Sequence, residues 1–245
     1  MSSVNHPMTS SSEKHSSNYY LIGIFAIAMG ALEAIVVVYL RQLYYPMGFD
    51  FPLTILVPKM VTVEWLREIA TIVMLVTIGM IAGRNSLQRF AWFLYSFAVW
   101  DIFYYLWLKV LLNWPASLLT WDILFLIPVP WVGPVLAPVI CSLTMIGMAV
   151  LILHLQKKDI QFRIRPAEWV LIILGAVIIL ITFMWDYTSI IIRDGLLSKF
   201  WVLTHDTVLK SHLLTYIPTT YNWGAFIVGE LFILAALIHM HRRVK

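Results

Sequence analysis

Long apolar runs separated by short polar breaks dominate the sequence. Several of these runs reach about 20 residues, which is the length that a helix needs to cross a bilayer. The runs and their breakers predict six transmembrane helices, at residues 20–42, 62–83, 88–112, 132–155, 167–192 and 222–241. The pattern therefore predicts an all-α, polytopic membrane helix bundle.

Two further apolar segments are too short to cross a membrane and are bounded by proline, FPLTILVP at 51–58 and WPASLLTWDILFLIPVP at 114–130. We predict that both are interfacial or re-entrant segments. Pro166 is expected in the first turn of the fifth helix. Pro134 and Pro138 are expected to enter the fourth helix, where Pro138 would produce a kink.

The first 18 residues are rich in serine and lack an apolar pattern, which predicts a disordered cytoplasmic tail. The apolar run that follows is too long for a secretory signal, carries Glu33 and lacks a small-residue cleavage site. It is therefore expected to be a retained first span. Residues 19–245 are predicted to form a single six-helix transmembrane domain.

Composition and charge place this domain in a membrane and give it an orientation. The mean hydropathy is +0.84, and only 12 % of the residues are charged. This chain is more apolar than a water-soluble protein of its size needs to be in order to form a core. Ten of the 17 basic residues fall in the tail, the 84–89 turn, the loop before Pro166 and the C-terminal HRRVK. The positive-inside rule predicts that this side is cytoplasmic, with both termini on it, in a cell membrane. The net charge of +4 is thus a topology signal and does not indicate nucleic-acid binding.

Most of the acidic residues fall in the opposite, outer half of the predicted bundle, which contains ten of the 13. Three of them follow a tryptophan, at 100–101, 121–122 and 185–186, where composition alone predicts roughly 0.3 such pairs. Tryptophan favours the level of the lipid headgroups, so an outer aromatic belt explains the tryptophans. It does not explain the aspartates.

The three helices that run outward share a pattern in which an acid is followed seven or eight residues later by a base. The pairs are Glu33 with Arg41, Asp101 with Lys109, and Asp186 with Arg193. Each base would lie about 10–12 Å nearer the outer surface, on nearly the same helix face. A base in this position can lean down toward its acid or extend upward to the lipid phosphates.

The deepest acids are Glu33, Asp101 and Glu230. A carboxylate well inside a span costs about 2.5–3.5 kcal/mol on insertion scales, which favours a partner, a bundle interior or a wet cavity. We therefore predict that these three acids converge in one polar cavity of the outer half. They are the candidate catalytic residues.

Residues that surround the deep acids are candidates for substrate binding: Arg41, Arg67, Glu68, Tyr105, Lys109, Asp122 and Asp186. Glu64 and Glu68 are one turn apart and can enclose Arg67, although acids are also common at the N-terminal end of a helix. Tyr105 is placed to hydrogen-bond Asp101 or Lys109, whereas Tyr104 is expected to face elsewhere.

Histidines provide weak signals for a metal or a cofactor. His205 and His212 share a face of an amphipathic segment within 195–221, but their spacing does not suit a zinc site that includes Asp206. A haem between His154 and His239 is conceivable, but no cytochrome signature accompanies these residues. No metal site is predicted, and the cofactor is unknown.

Three functions fit this pattern. The first is an enzyme whose outer site acts on an anionic lipid-linked or small amphipathic substrate, with mixed acids and bases for proton transfer. The second is a small proton- or cation-coupled transporter that uses the deep carboxylates. The third is a non-catalytic subunit or sensor whose tryptophan-rich rim contacts a partner in a membrane complex. Membrane lipid is the expected surrounding in all three.

Overall fold

Six long helices and one β-hairpin make up the described part of this computed structural model, which covers residues 10–54, 57–159, 161–193 and 215–244. The helices are α1 Ser10–Tyr44, α2 Pro58–Ala82, α3 Ser86–Leu112, α4 Leu136–Lys158, α5 Pro166–Arg193 and α6 Trp223–Arg243. Each contains a stretch that is long and apolar enough to cross a membrane. The chain is thus an all-α polytopic membrane helix bundle, as the sequence predicted.

Local sequence signals explain where several helices begin and end. Pro166 is the first residue of α5, as predicted, and occupies a position whose N–H needs no partner. The Asn85 side chain caps α3 by accepting a hydrogen bond of 3.0 Å from the Gln88 N–H. Asn113 adopts the left-handed conformation after α3, and its N–H donates to the Lys109 carbonyl.

The first helix is longer than the sequence pattern predicted. It begins at Ser10, and its apolar span begins at Asn18. Residues 10–18, which were expected in the tail, are thus helical, while residues 1–9 lie outside the described part of the chain.

The segment between α3 and α4 contains a β-hairpin that the sequence analysis did not predict. Strand β1, Trp121–Phe125, pairs antiparallel with β2, Trp131–Pro134, and the register is irregular between Ile123 and Phe125. Strand pairing supplies partners for backbone polar groups around buried residues such as Asp122 and Val132, which an irregular segment would leave unsatisfied. Short apolar runs rich in tryptophan, valine and isoleucine do not distinguish a strand from a helix by periodicity.

The hairpin also changes the predicted start of the fourth helix. Pro134 ends β2, and α4 begins only at Leu136, four residues later than expected. Pro138 is consequently the third residue of α4 and lies in its first turn. The predicted kink at Pro138 is wrong, because a proline in the first turn removes no intrahelical hydrogen bond.

Helix α3 lies at the centre of the first four helices and packs against α1, α2 and α4. Helices α5 and α6 form a close pair, which contacts the rest of the bundle through α4 and β2. At their crossing, a Cβ placed on Gly175 would lie 2.5 Å from the Gly229 carbonyl oxygen, so glycine is required there for the two backbones to approach.

The two ends of the bundle differ in structure, and we name them accordingly. The hairpin end carries the β-hairpin, the α1–α2 connection and the start of α6. The basic end carries the α2–α3 turn, the α4–α5 loop and the C-terminal end of α6. The sequence prediction identified the hairpin end with the outer half.

Candidate functional site

Arg67 links α1 and α2 through two carboxylates at the hairpin end. Its guanidinium forms an ion pair with Glu33, and its Nε donates to Glu64 over 2.8 Å. The Thr71 hydroxyl donates to the second oxygen of Glu33 over 3.1 Å. Glu33, one of the three predicted deep acids, therefore has both a cation and a hydroxyl partner.

Glu68 binds the hairpin instead of pairing directly with Arg67. Both of its carboxylate oxygens accept from the backbone N–H of Leu126, at 2.8 and 3.1 Å, and the side chain is buried. The sequence analysis placed Glu64 and Glu68 together around Arg67. In the structure Glu64 takes that position, whereas Glu68 ties the end of β1 to α2.

Asp122 on β1 forms a buried ion pair with Arg41 at the end of α1. The Arg41 nitrogen lies 3.4 Å from Asp122 Oδ1, and the side chains are only 9 % and 3 % exposed. The guanidinium also lies over two aromatic rings, at 3.7 Å from the centroid of Trp114 and 4.4 Å from that of Phe49. Burial raises the pKa of Asp122 to about 6, although the positive charge of Arg41 opposes the shift.

Two tyrosines of α3 border this ion pair. The Tyr105 hydroxyl is within hydrogen-bonding reach of Asp122. The spacing on α3 had suggested Asp101 or Lys109 as its partner. Tyr104 was expected to face elsewhere, and this expectation is wrong. Its hydroxyl lies within electrostatic range of the charges of Arg41, Arg67 and Asp122. It therefore lies between the two ion-paired clusters.

The bases on the outward-running helices do not pair with the acids beneath them on the same helix. Arg41 binds Asp122, and the Lys109 ammonium donates to the carbonyls of Asn113 and Pro115, at 3.3 and 3.1 Å. Lys109 lies in the last turn of α3, where free carbonyls attract a cation more directly than an acid two turns away.

Asp186 likewise finds its partner on another segment, since the Tyr216 hydroxyl donates to it across the α5–α6 connection. Burial and the neighbouring Asp186 raise the pKa of Tyr216 above its ordinary value, so this phenol stays protonated and donates. Arg193, which was predicted above Asp186, is exposed. Residues 194–214, including His205, Asp206 and His212, lie outside the described part of the chain.

The other two deep acids pack against hydroxyl groups of α4. Ser142 donates to Asp101 over 2.8 Å, and Thr144 donates to Glu230 over 2.7 Å. The Cys141 thiol also lies within hydrogen-bonding reach of Glu230. Glu230 is buried, and its Oε1 receives no N–H or O–H donor from the described residues. Asp101 and Glu230 thus have neutral partners, whereas Glu33 and Asp122 have cationic ones.

The carboxylates form adjacent clusters across the hairpin end. Asp101 and Asp122 are close enough to interact electrostatically, and Tyr104 lies near both. Asp101 and Glu230 contact residues of α4 that are two positions apart. Five helices, α1 to α4 and α6, and β1 therefore contribute to one polar layer, in which ion pairs lie toward α1 and α2 and hydroxyl-bound acids lie toward α4 and α6.

The basic end contains one buried acid, Glu168 at the start of α5. It accepts from the Arg165 backbone N–H over 2.7 Å and from the Arg243 guanidinium over 3.1 and 3.0 Å. His239 Nδ1 lies 2.8 Å from the same carboxylate. His154, the other histidine considered for a haem, is exposed on α4. No group of three or more histidine, cysteine or acidic residues is placed to hold a metal within the described ranges.

Several residues of the polar layer were missed by the sequence analysis. Ser142 and Thr144 are two hydroxyl residues that interrupt an apolar span. Polar side chains inside a span often face a partner in the bundle, so the sequence could have marked them as partners of the acids. The aromatic rings that hold Arg41 belong to connections far apart in the sequence, so no periodic pattern marks them. Tyr216 is joined to Asp186 only by the fold.

Comparison with known proteins adds no assignment to this geometry. No protein-family model matches the chain, and neither a curated protein nor a solved structure matches it.

Proposed function

We propose that this integral membrane protein is an enzyme that acts on an anionic lipid-linked or small amphipathic substrate at its hairpin end. The observation that carries the proposal is the Arg41–Asp122 pair. It combines a cation, a buried carboxylate and two phenols in one place, where α1, α3 and β1 meet.

Arg41 has the features of an anion-binding group. Its contact with Asp122 is 3.4 Å, longer than the ~2.8 Å typical of charge-assisted hydrogen bonds. The remaining N–H groups have no acceptor among the described residues, while Trp114 and Phe49 fix the plane of the guanidinium. A phosphate or carboxylate of a substrate would bind these donors in a defined orientation.

Asp122 supplies the acid–base group of the proposed reaction. A carboxyl group with a pKa of about 6 exchanges protons readily near neutral pH, which general acid–base catalysis requires. Tyr105 orients this carboxylate, and the Asp101 carboxyl group lies close enough to interact with it. We assign substrate positioning to Arg41 and Tyr104, and proton transfer to Asp122 with Asp101 and Glu230 as further acids.

The proposed site faces the extracytoplasmic side of the cell membrane. Support comes from the basic residues, which concentrate at the opposite end of the described helices and in both terminal regions of the sequence. A substrate would then reach the site from the outer leaflet. Membrane lipid and a lipid-linked substrate are the partners that this position favours.

A comparison of lipid extracts tests the enzyme. The gene would be deleted, and the strain complemented with the wild type, with Asp122→Asn, or with Asp50→Asn. Asp50 is an exposed acid at the same end and serves as the matched control. We expect an anionic amphiphile to accumulate in the deletion strain and in the Asp122→Asn strain, at least tenfold over the other two. Identical extracts from all strains would contradict the proposal.

A proton- or cation-coupled carrier is the second candidate, and a separate observation favours it. Asp101 and Glu230 have no cationic partner among the described residues and bind only hydroxyl groups of α4 and the Cys141 thiol. Such acids can take up a proton or a monovalent cation. Proteoliposomes with an imposed pH gradient would acidify or alkalinise with wild-type protein and fail to do so with Glu230→Gln.

A further inference from the structure

A cavity of about 870 Å³ opens at the basic end, between the start of α3, the end of α4 and the α4–α5 loop. Ten residues line it, of which five are apolar, four are uncharged polar residues and one, Arg163, is charged. No acid lines this cavity, in contrast to the neighbouring one of about 700 Å³, which includes Asp159. The lining therefore carries one charged group, Arg163, which also lines the neighbouring cavity. Asp159 accepts a hydrogen bond of 2.9 Å from the backbone N–H of Gln161 on that neighbouring side.

The polar side of this cavity has free hydrogen-bond donors. The Arg163 guanidinium is exposed and forms no ion pair or hydrogen bond with the described residues. The Ser86 hydroxyl and the Gln161 side-chain amide also form no hydrogen bond with the described residues. By contrast, the Gln156 amide is committed, since it donates to the Phe162 carbonyl and accepts from Asn85.

The apolar side lies where two membrane spans begin. Phe90 is in the second turn of α3 and Trp169 in the first turn of α5, and their ring centroids are 5.4 Å apart. Tryptophan at the end of a span favours the boundary between headgroups and hydrocarbon. The cavity thus has polar donors beyond the span and aromatic rings within it.

We propose that this cavity binds one anionic phospholipid. Its phosphate accepts from Arg163, Ser86 and Gln161, and the first part of an acyl chain packs on Phe90 and Trp169. A lining with one basic side chain and no acid of its own suits a phosphodiester, and the aromatic wall at the level of the interface suits a lipid better than a soluble anion. The site is independent of the proposed enzyme, because the hairpin end lies at the other end of the helices.

Thermal unfolding of delipidated protein in detergent tests the proposal. Three probes would be added separately: a phosphatidylglycerol, a phosphatidylcholine with the same acyl chains, and inorganic phosphate. The variants are Arg163→Gln and, as a matched control, Arg242→Gln, which removes an exposed charge at the same end outside the cavity.

We expect phosphatidylglycerol to raise the melting temperature of the wild type and of Arg242→Gln at lower concentration than phosphatidylcholine. Arg163→Gln should need about fivefold more phosphatidylglycerol, the factor that corresponds to ~1 kcal/mol per basic residue at an anionic surface. An equal requirement in Arg163→Gln and Arg242→Gln would overturn the site. An equal effect of inorganic phosphate would overturn the lipid as its ligand, and equal effects of the two lipids would overturn the role of charge.

Discussion

Buried acids at the two ends of the bundle are partnered in different ways. At the basic end, Glu168 is fully buried and receives donors from a backbone N–H, a guanidinium and an imidazole. At the hairpin end, Glu230 is also buried, yet one of its oxygens lacks an N–H or O–H donor among the described residues. Asp122 has a cation only at 3.4 Å. A saturated carboxylate stabilises a fold, whereas an incompletely partnered one has capacity left to bind a proton or a ligand.

This difference separates structural groups from the proposed reactive ones. Glu168 joins the start of α5 to the C-terminal end of α6, and no substrate is needed to satisfy it. Glu230 and Asp122 carry an energetic cost that a fold alone does not require, since a buried carboxylate with incomplete partners is expensive. Proteins often retain such costs at functional sites. Glu33 and Glu68, at the same end, have closer partners.

Accessibility to a reagent added outside the cell should show the largest difference between the two ends. In the predicted orientation only the hairpin end faces the outside, so only that end should be labelled. We would place a single cysteine at Lys158, exposed at the basic end, or at Asp50, exposed at the hairpin end. In intact cells a membrane-impermeant thiol reagent should label position 50 and spare position 158. The wild type, which contains only Cys141, provides the background. Labelling of position 158 alone would reverse the orientation and place the proposed site on the cytoplasmic side.

Loss of the saturated acid should produce the largest loss of stability. Glu168→Ala removes the acceptor of the Arg165 N–H and the carboxylate partner of Arg243, whose side chain is 20 % exposed and still donates to the Arg163 carbonyl. Loss of such charge-assisted hydrogen bonds typically costs about 1.5–3 kcal/mol. We expect a strong decrease in the free energy of unfolding, measured by denaturant titration in mixed micelles. Asp159→Ala, an exposed acid of the same end, should change it by less than about 1 kcal/mol. Similar values for the two variants would show that the Glu168 network contributes little.

Stability should also depend on pH through Asp122. Burial raises its pKa to about 6, whereas an aspartate in the unfolded chain titrates near about 3.9. Between these values the folded state binds more protons than the unfolded state, so stability decreases as the pH rises from about 4 to 6 and then levels off. The total change is at most about 3 kcal/mol.

The comparison that isolates this effect uses melting temperatures from pH 4 to 7. Asp122→Asn should have a smaller slope than the wild type in this window, and Asp50→Asn, with an exposed side chain, should keep the slope of the wild type. An undiminished slope in Asp122→Asn would assign the titration to other groups. It would also remove the proton-transfer role from Asp122, on which the proposed enzyme depends.

The sequence determined the spans more completely than the site. Length and hydropathy define each span locally, so all six were predicted within a few residues at most ends. The exceptions were the early start of α1 and the hairpin before α4, where strands of five and four residues are too short for periodicity to identify. Proline chemistry correctly marked Pro166 as a first-turn residue.

The partners of the acids were predicted less well, because they depend on which helices are neighbours. The expected acid–base pairs lay on single helices, but the observed contacts join different elements, as in Arg41 with Asp122 and Arg67 with Glu33. The sequence analysis predicted that Glu33, Asp101 and Glu230 are the deepest acids, and all three lie within candidate membrane spans. Their assignment to one shared cavity stays a prediction, and the separate partners of Asp101 and Glu230 on α4 define where to test it.

The smallest effect on stability is expected for Glu230→Gln, the counterpart of the Glu168 substitution. Glutamine keeps the carbonyl oxygen that Thr144 binds, and no cation loses its partner within the described residues. The free energy of unfolding should therefore change by less than about 1 kcal/mol, whereas Glu168→Gln, which places an amide against Arg243, should cost about 2 kcal/mol or more. Both free energies would be measured in the same micelles.

Function should respond in the opposite order, since a neutral amide cannot exchange a proton. Glu230→Gln should lose the lipid turnover or the proton flux of the wild type, while Glu168→Gln should retain it in whatever fraction stays folded. Glu230→Leu completes the series: it removes the acceptor of Thr144 and should destabilise the protein by about 1–3 kcal/mol. If Glu230→Gln proves as destabilising as Glu168→Gln and remains active, the incomplete partnering of Glu230 has no functional meaning, and the contrast between the two ends fails.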